Sequence, residues 1–226
     1  CMAAAGVKDM TPIDVLVLEV GMGGEWDSTN TADGDVAVFA PIDIDHADRL
    51  GSTIAEIAEV KAGIIKEGAA VVSAQQPAEA AEVLRRVAAE RNATIAFEGE
   101  EFGLTEQKLA VGGQLLTIRG LAGEYAEEYL PLYGAHQGHN AALAVAAVES
   151  LIGGATQRIA ADIVTAGLQE STSPGRLQLL GIAPTVIVDA AHNPHGAKAL
   201  AQALDDSFDF DEWGLVLGVL ADKDAA

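Results

Sequence analysis

Residues 13–30 read IDVLVLEVGMGGEWDSTN, and the first third of that stretch sets the fold class. Val15, Leu16, Val17 and Leu18 are too few for a helix and rich enough in β-branched side chains to predict a buried strand. The strand ends on Glu19, and the glycines Gly21, Gly23 and Gly24 follow at once. In open α/β sheets ligands bind beyond the carboxyl ends of the strands, and glycines there let backbone N–H groups approach a ligand closely. Glu19 is therefore a candidate site residue. A solvated residue closing a core strand, followed by an ordinary tight turn, accounts for the same pattern, and the loose glycine spacing alone does not separate the two.

Working outward, the chain has 226 residues, half of them hydrophobic, enough to bury a sizeable core. No apolar run approaches the ~20 residues of a membrane span. The first ten residues, CMAAAGVKDM, have neither a basic nor an apolar segment of the secretory kind. Cys1 is the single cysteine, which cannot staple the chain and fits a reducing cytoplasm. Thirteen basic against 34 acidic residues give a net charge of -21, which repels phosphodiester backbones and anionic membranes and argues against both as partners. An anionic ligand would need local cations, and a divalent metal held by carboxylates would supply them. Because the chain opens on Cys1 and stops after ADKDAA, an internal piece of a longer protein is expected.

A second buried strand is predicted over 35–42 (DVAVFAPI), ending in Asp43, Asp45, His46 and Asp48, so two strands bring metal-ligand residue types to one sheet edge. Thr53 with Glu56 three residues on predicts a capped helix start. Ile54, Ile57, Ala58 and Ile65 then form an apolar face, with Lys61 in the middle of it. Such a lysine either snorkels out along its stem or is desolvated enough to react or be modified. A strand over 69–73, a helix from Pro77 to about Asn92 and a strand over 94–97 complete a β-α-β-α-β order that predicts a parallel sheet. From Phe102 to Leu132 the apolar residues alternate and Gly112-Gly113 marks a hairpin, predicting a small antiparallel patch.

Residues 134–151 (GAHQGHNAALAVAAVESL) read as a loop entering an alanine-rich helix; His136 and His139 can be read as a metal pair, but near a helix start local hydrogen bonding is the expected role, and Asn140 can offer donor and acceptor to a base edge. A second helix is expected from about Thr156 to Leu168. Pro174-Gly175 in STSPGR is the strongest linker signal, placing a boundary between one domain over 1–172 and the start of a second over 173–226. Thr185–Val188 reads as a strand ending on Asp189, followed by His192, Asn193 and Pro194, residues that also suit plain helix capping. A further strand is expected over 215–220.

Set in order, EVGMGGEWDSTN, PIDIDHADRLG, EIAEVKAGIIK, GAHQGHNAALA, SPGRLQ, DAAHNPHGAKAL and GVLADKD resemble the folylpolyglutamate synthase and dihydrofolate synthase family of the muramyl-ligase superfamily. The resemblance implies an α/β fold, with a mostly parallel sheet flanked by helices, and an ATP-dependent ligase that joins L-glutamate to dihydropteroate or folates through an acyl phosphate. It also implies magnesium at Glu19 and His46, with potassium as a further cation, and a carbamate formed from carbon dioxide on Lys61. By the same resemblance Trp26, Asp27 and Ser28 lie beside the pterin substrate. Asn140, Arg176 and Asp189 contact the nucleotide, and His192 lies near the phosphates. A cytoplasmic monomer is expected.

The chain departs from the family at Glu25 and Trp26, where Arg and Leu are usual. The family's phosphate loop belongs upstream of Glu19, and none of the eighteen residues before it forms one. A cell-wall amino-acid ligase, or a non-catalytic nucleotide or folate binder, would share many of these motifs.

Overall fold

In a computed structural model, residues 13–44, 47–192 and 194–218 are described, and the chain divides into two compact units, residues 1–97 and 98–226. In the first unit β1 (Val36–Phe39) is followed by the short helix α1 (Ala47–Leu50) and by α2 (Ile54–Ala62). β2 (Ala70–Ser73), α3 (Ala78–Glu90) and β3 (Thr94–Phe97) complete it. The strands pair parallel in the order β1-β2-β3, as the alternation of strands and helices predicts. α2 starts where its capping box says it should: the Thr53 side chain accepts from the Glu56 N–H, and the Glu56 carboxylate accepts from Thr53 N and Ser52 N. Ile57, Ala58, Val71, Leu84 and Phe97 form the core between sheet and helices.

The opening segment corrects the sequence reading. Residues 15–18 form no strand, and Val17 is 87% exposed. A strand is stabilised by a neighbour that takes up its N–H and C=O groups, and among the described residues nothing pairs with this run. The apolar residues alone do not suffice.

In the second unit β4 (Gly103–Ala110), β5 (Gly113–Arg119) and β6 (Glu124–Leu130) form the expected antiparallel sheet. Its first turn is Val111-Gly112, one residue earlier than expected. Gly112 takes a φ of +80°, and Gly113 already pairs with Ala110. α4 (Ala135–Gly153) packs against β4 and β5, and α5 (Ala161–Gln169) against β6. α5 begins later than the predicted Thr156: Gly154 ends α4 in the left-handed region, and Ile159 N donates to the Tyr125 hydroxyl, so the chain between is a loop.

α4 carries a fully buried acid, Glu149, whose carboxylate accepts from the Tyr125 hydroxyl at 2.7 Å and from Leu121 N and Ala122 N in the β5–β6 turn. Burial, and then donation to Glu149, push the Tyr125 hydroxyl up to about 12.

Past the linker, β7 (Gln178–Ile182) pairs antiparallel with β8 (Thr185–Val188), and α6 (Pro194–Ser207) follows. β7 was not expected. The strand expected over 215–220 is not formed by residues 215–218, where Val216 is fully exposed; residues 219 and 220 lie outside the described residues.

Candidate active site

The glycine-rich loop is built around Asp27. Its carboxylate accepts from Thr29 N at 2.9 Å and the Thr29 hydroxyl at 2.7 Å, and from Met22 N and Gly21 N at 3.1 Å. These donors, Thr29 first, hold the carboxyl down at about 2, so it is ionised at neutral pH. Asp27 also caps a short 3-10 helix, Ser28–Thr31. The pterin-side role expected for Asp27 must therefore coexist with a carboxylate already engaged by its own loop.

The loop is seated on the end of α2. A helix leaves its last carbonyls without partners inside the helix, and the loop supplies two of them: Glu25 N donates to Val60 O at 2.9 Å, and the Asn30 side-chain amide donates to Gly63 O at 3.1 Å. Gly24 approaches so closely that a Cβ there would lie 2.7 Å from the Lys61 carbonyl oxygen. This is the position where the absence of a side chain is required.

Between the loop and α2 lies a cavity of about 210 Å³ lined by Val20, Gly21, Met22, Gly23, Asp43, Leu50 and Lys61. The structure thus brings Lys61 together with the glycine turn and with an acid from the end of β1. Glu19 is exposed one residue before the lining begins. Trp26, 86% exposed, and Ser28 sit on the outer part of the loop. His46 and Asp45 lie outside the described residues.

Among the described residues no three His, Cys, Asp or Glu side chains converge as a metal cage. Magnesium needs none, because it is held by one or two carboxylates together with waters and substrate phosphates. The hard oxygen donors of Asp43, on the cavity wall, and of Glu19 beside it fit that ion.

In the second unit the remaining candidates fall in two places. Asn140, exposed in the second turn of α4, donates to the Gln137 side chain at 3.2 Å. Its neighbour His139 pairs through Nδ1 with Glu98, whose side chain is 4% exposed, and that carboxylate raises the imidazole's pKa. Gln114 and Gln107 reach the carbonyls of Leu132, Gly134 and Ala135, fixing the start of the same helix.

The second place is the linker. Leu177, buried and at a φ of +47°, donates its N–H to Asp189 at 2.7 Å, and Asp189 also accepts from Ala191 N at 2.7 Å. Asp189 thereby holds Arg176 and Leu177 beside the loop that carries His192. The His192 Nδ1 lies 2.9 Å from the Ala190 carbonyl. A carbonyl only accepts, so Nδ1 carries the proton and Nε2 is the acceptor in the neutral ring. Arg176 also lines a hollow of about 360 Å³ with Tyr133, Ser173 and Pro174. Asn193 is outside the described residues.

Sequence reasoning did not single out Asn30 and Lys66, which fasten the loop. A sequence signal for the brace itself was present, since an Asp followed two residues later by Thr favours a side-chain-to-backbone turn.

Residues 4–148 match the Mur ligase middle domain, and residues 175–226 match the Mur ligase glutamate ligase domain. The chain is 50% identical over 231 residues to a dihydrofolate synthase/folylpolyglutamate synthase of Mycobacterium tuberculosis, covering 99% of this chain and 47% of that protein. It superposes with a TM-score of 0.86 on Mycobacterium tuberculosis folylpolyglutamate synthase complexed with ADP and AMPPCP, over 92% of this chain and 47% of that one. An FPGS-AMPPCP-folate complex, 32% identical, gives a TM-score of 0.87 over 92% of this chain and 51% of that one. The chain spans about half the length of the curated relatives it matches. With the middle-domain match extending over more than half of its residues and the glutamate-ligase match following it, the chain belongs to the Mur ligase family.

Proposed function

We propose that the full-length product of this gene is an ATP-dependent ligase that adds L-glutamate to dihydropteroate, to folates, or to both. The observation that carries this reading is the cavity in which Lys61 meets the braced glycine loop and Asp43. In the reaction the substrate carboxylate attacks the γ-phosphorus of ATP, ADP leaves, and an acyl phosphate forms. The glutamate amine then attacks the acyl carbon, phosphate leaves, and the amine proton passes to solvent as the amide forms. Both steps gather anions in a chain of net charge -21, so catalysis rests on positioning and on local positive charge.

In this reading Glu19 and His46 would hold magnesium, with Asp43 on the cavity wall as a further oxygen donor, and the ion would neutralise phosphoryl oxygens when bound. Lys61 carries a carbamate that faces the cavity as an anion and orders the cations there, potassium among them. Trp26 and Ser28, on the loop shaped by Asp27, flank the pterin ring. Arg176 offers the phosphates a planar fork of donors, and Asp189 keeps that arginine in place while contacting the nucleotide. Asn140 reads the adenine edge, and His192, whose ring is oriented by its Nδ1 contact to the Ala190 carbonyl, lies near the phosphates.

The domain boundary falls at 172/173, a reading supported by the gap between the two family matches. The single cysteine supports a cytoplasmic protein and the acidic charge one that binds neither nucleic acid nor anionic membrane, while the family resemblance supports a monomer. Among the described residues no helix is long and apolar enough to cross a membrane.

The test is phosphate release by the full-length product that depends on both glutamate and a folate-type acid, set against a panel of cell-wall precursors. Lys61→Ala is expected to abolish it without rescue by bicarbonate, and near-normal turnover in that variant would refute the carbamate role.

A further inference from the structure

The loop that walls the Lys61 cavity is fastened from outside by two side chains that neither line the cavity nor belong to the groups assigned above. The Asn30 amide donates at 3.0 Å to Glu25 O, within the loop, and at 3.1 Å to Gly63 O, at the end of α2. Lys66 donates through Nζ to Asn30 O at 2.8 Å. One residue thus bridges loop and helix by its side chain while its own carbonyl is gripped by a lysine one turn past the helix end. The geometry matters because both anchor points, Gly63 and Lys66, follow Lys61 within five residues. The loop's other contact is Glu25 N on Val60 O, and Gly24 rests on the Lys61 carbonyl itself. If the loop lifts, Gly21 to Gly23 on one wall part from Lys61 on the other.

We propose that Asn30 and Lys66 form a latch that sets the width of the Lys61 cavity, making both of them positioning residues for the acid substrate. The proposal rests on the functional reading above, which places that substrate against the loop. Asp27 and the latch divide the labour: Asp27 gives the loop its internal shape, and the latch determines where that shape sits. Losing the latch therefore leaves a formed loop in the wrong place. That predicts an effect on the substrate bound beside the loop and none on the nucleotide contacts expected from Asn140, Arg176 and Asp189.

The experiment uses the full-length product with Asn30→Ala, Lys66→Met and Lys66→Arg. Steady-state kinetics with ATP and with the folate-type acid varied in turn are combined with hydrogen-exchange mass spectrometry of the peptide spanning residues 21–31. The expected result is a KM for the acid raised about tenfold by Asn30→Ala and Lys66→Met, the size of one or two lost hydrogen bonds. The KM for ATP should be unchanged, and exchange should be faster at the Glu25 amide. Lys66→Arg, which keeps a donor, should restore both readouts. Unchanged exchange in Asn30→Ala and Lys66→Met would overturn the latch. So would both KM values rising together with a lowered melting temperature, because that is a purely structural defect. Should the unsubstituted protein join glutamate to no folate-type acid, the functional reading falls, and the exchange data still decide whether the latch seats the loop.

Discussion

Asp27 and Asp189 are both acids placed shortly before a helix, yet they do different work. Asp27 takes its donors from two to six residues away and closes one loop on itself. Asp189 takes one donor from two residues away and one from twelve, so it ties the linker before β7 to the loop after β8. Short-range acceptance fixes the shape of a segment, while long-range acceptance fixes the relation between two segments. The surroundings differ in the same sense. The Asp27 loop is seated on the end of a helix in a closed core, whereas the β7–β8 hairpin joined by Asp189 is largely exposed.

The largest effect should come from breaking the seat beneath the Asp27 loop. Gly24→Ala places a Cβ 2.7 Å from the Lys61 carbonyl and 2.8 Å from that of Val60, backbone atoms that cannot step aside. A loss of about 2–3 kcal/mol is expected from overpacking, read by denaturant unfolding. Asp189→Ala should cost less, about 1–2 kcal/mol, because it leaves the N–H of buried Leu177 without its acceptor. If that variant instead melted like the parent protein, the linker tie would be dispensable and the contrast would fail.

Acid sharpens the comparison most finely. The Asp27 pKa is depressed in the folded state, from 3.8 to about 2, so its stabilisation is complete above 3.8 and is lost as pH falls towards 2. The site is solvent-accessible and screened, so the change should stay under about 1 kcal/mol. Protection of the Met22 and Thr29 amides, taken relative to their intrinsic exchange rates at each pH, should fall across that window in the parent protein and show no such step in Asp27→Asn.

Much of this was legible beforehand because it is local. The Thr53–Glu56 box, the β-α-β-α-β order and the alternation over 102–132 depend on residues within a turn or a strand of each other, and all three appear as read. What stayed hidden is what depends on distant partners. Val15 to Leu18 have the composition of a strand but no described neighbour to pair with. The His139–Glu98 pair spans 41 residues, and no spacing rule reaches that far. The site was readable in its residue types, Lys61 and the glycine turn above all. It was not readable in its mechanics, since Asn30 and Lys66 are ordinary polar residues until the end of α2 is placed beneath them.

The buried Glu149 has a consequence for engineering. The β5–β6 connection has the glycine-rich look of a surface turn that would accept an inserted tag or a new chain terminus, but its Leu121 and Ala122 amides are held by that carboxylate. A side chain on Gly120 would meet it at 2.5 Å. The other hairpin of the same sheet carries Val111 at its tip, 98% exposed. Of the two turns, the one at Val111 is where foreign sequence can be spliced in, because its single side-chain tie, from the Tyr129 hydroxyl to Val111 O at 3.0 Å, is exposed, whereas the other turn is held by a fully buried carboxylate.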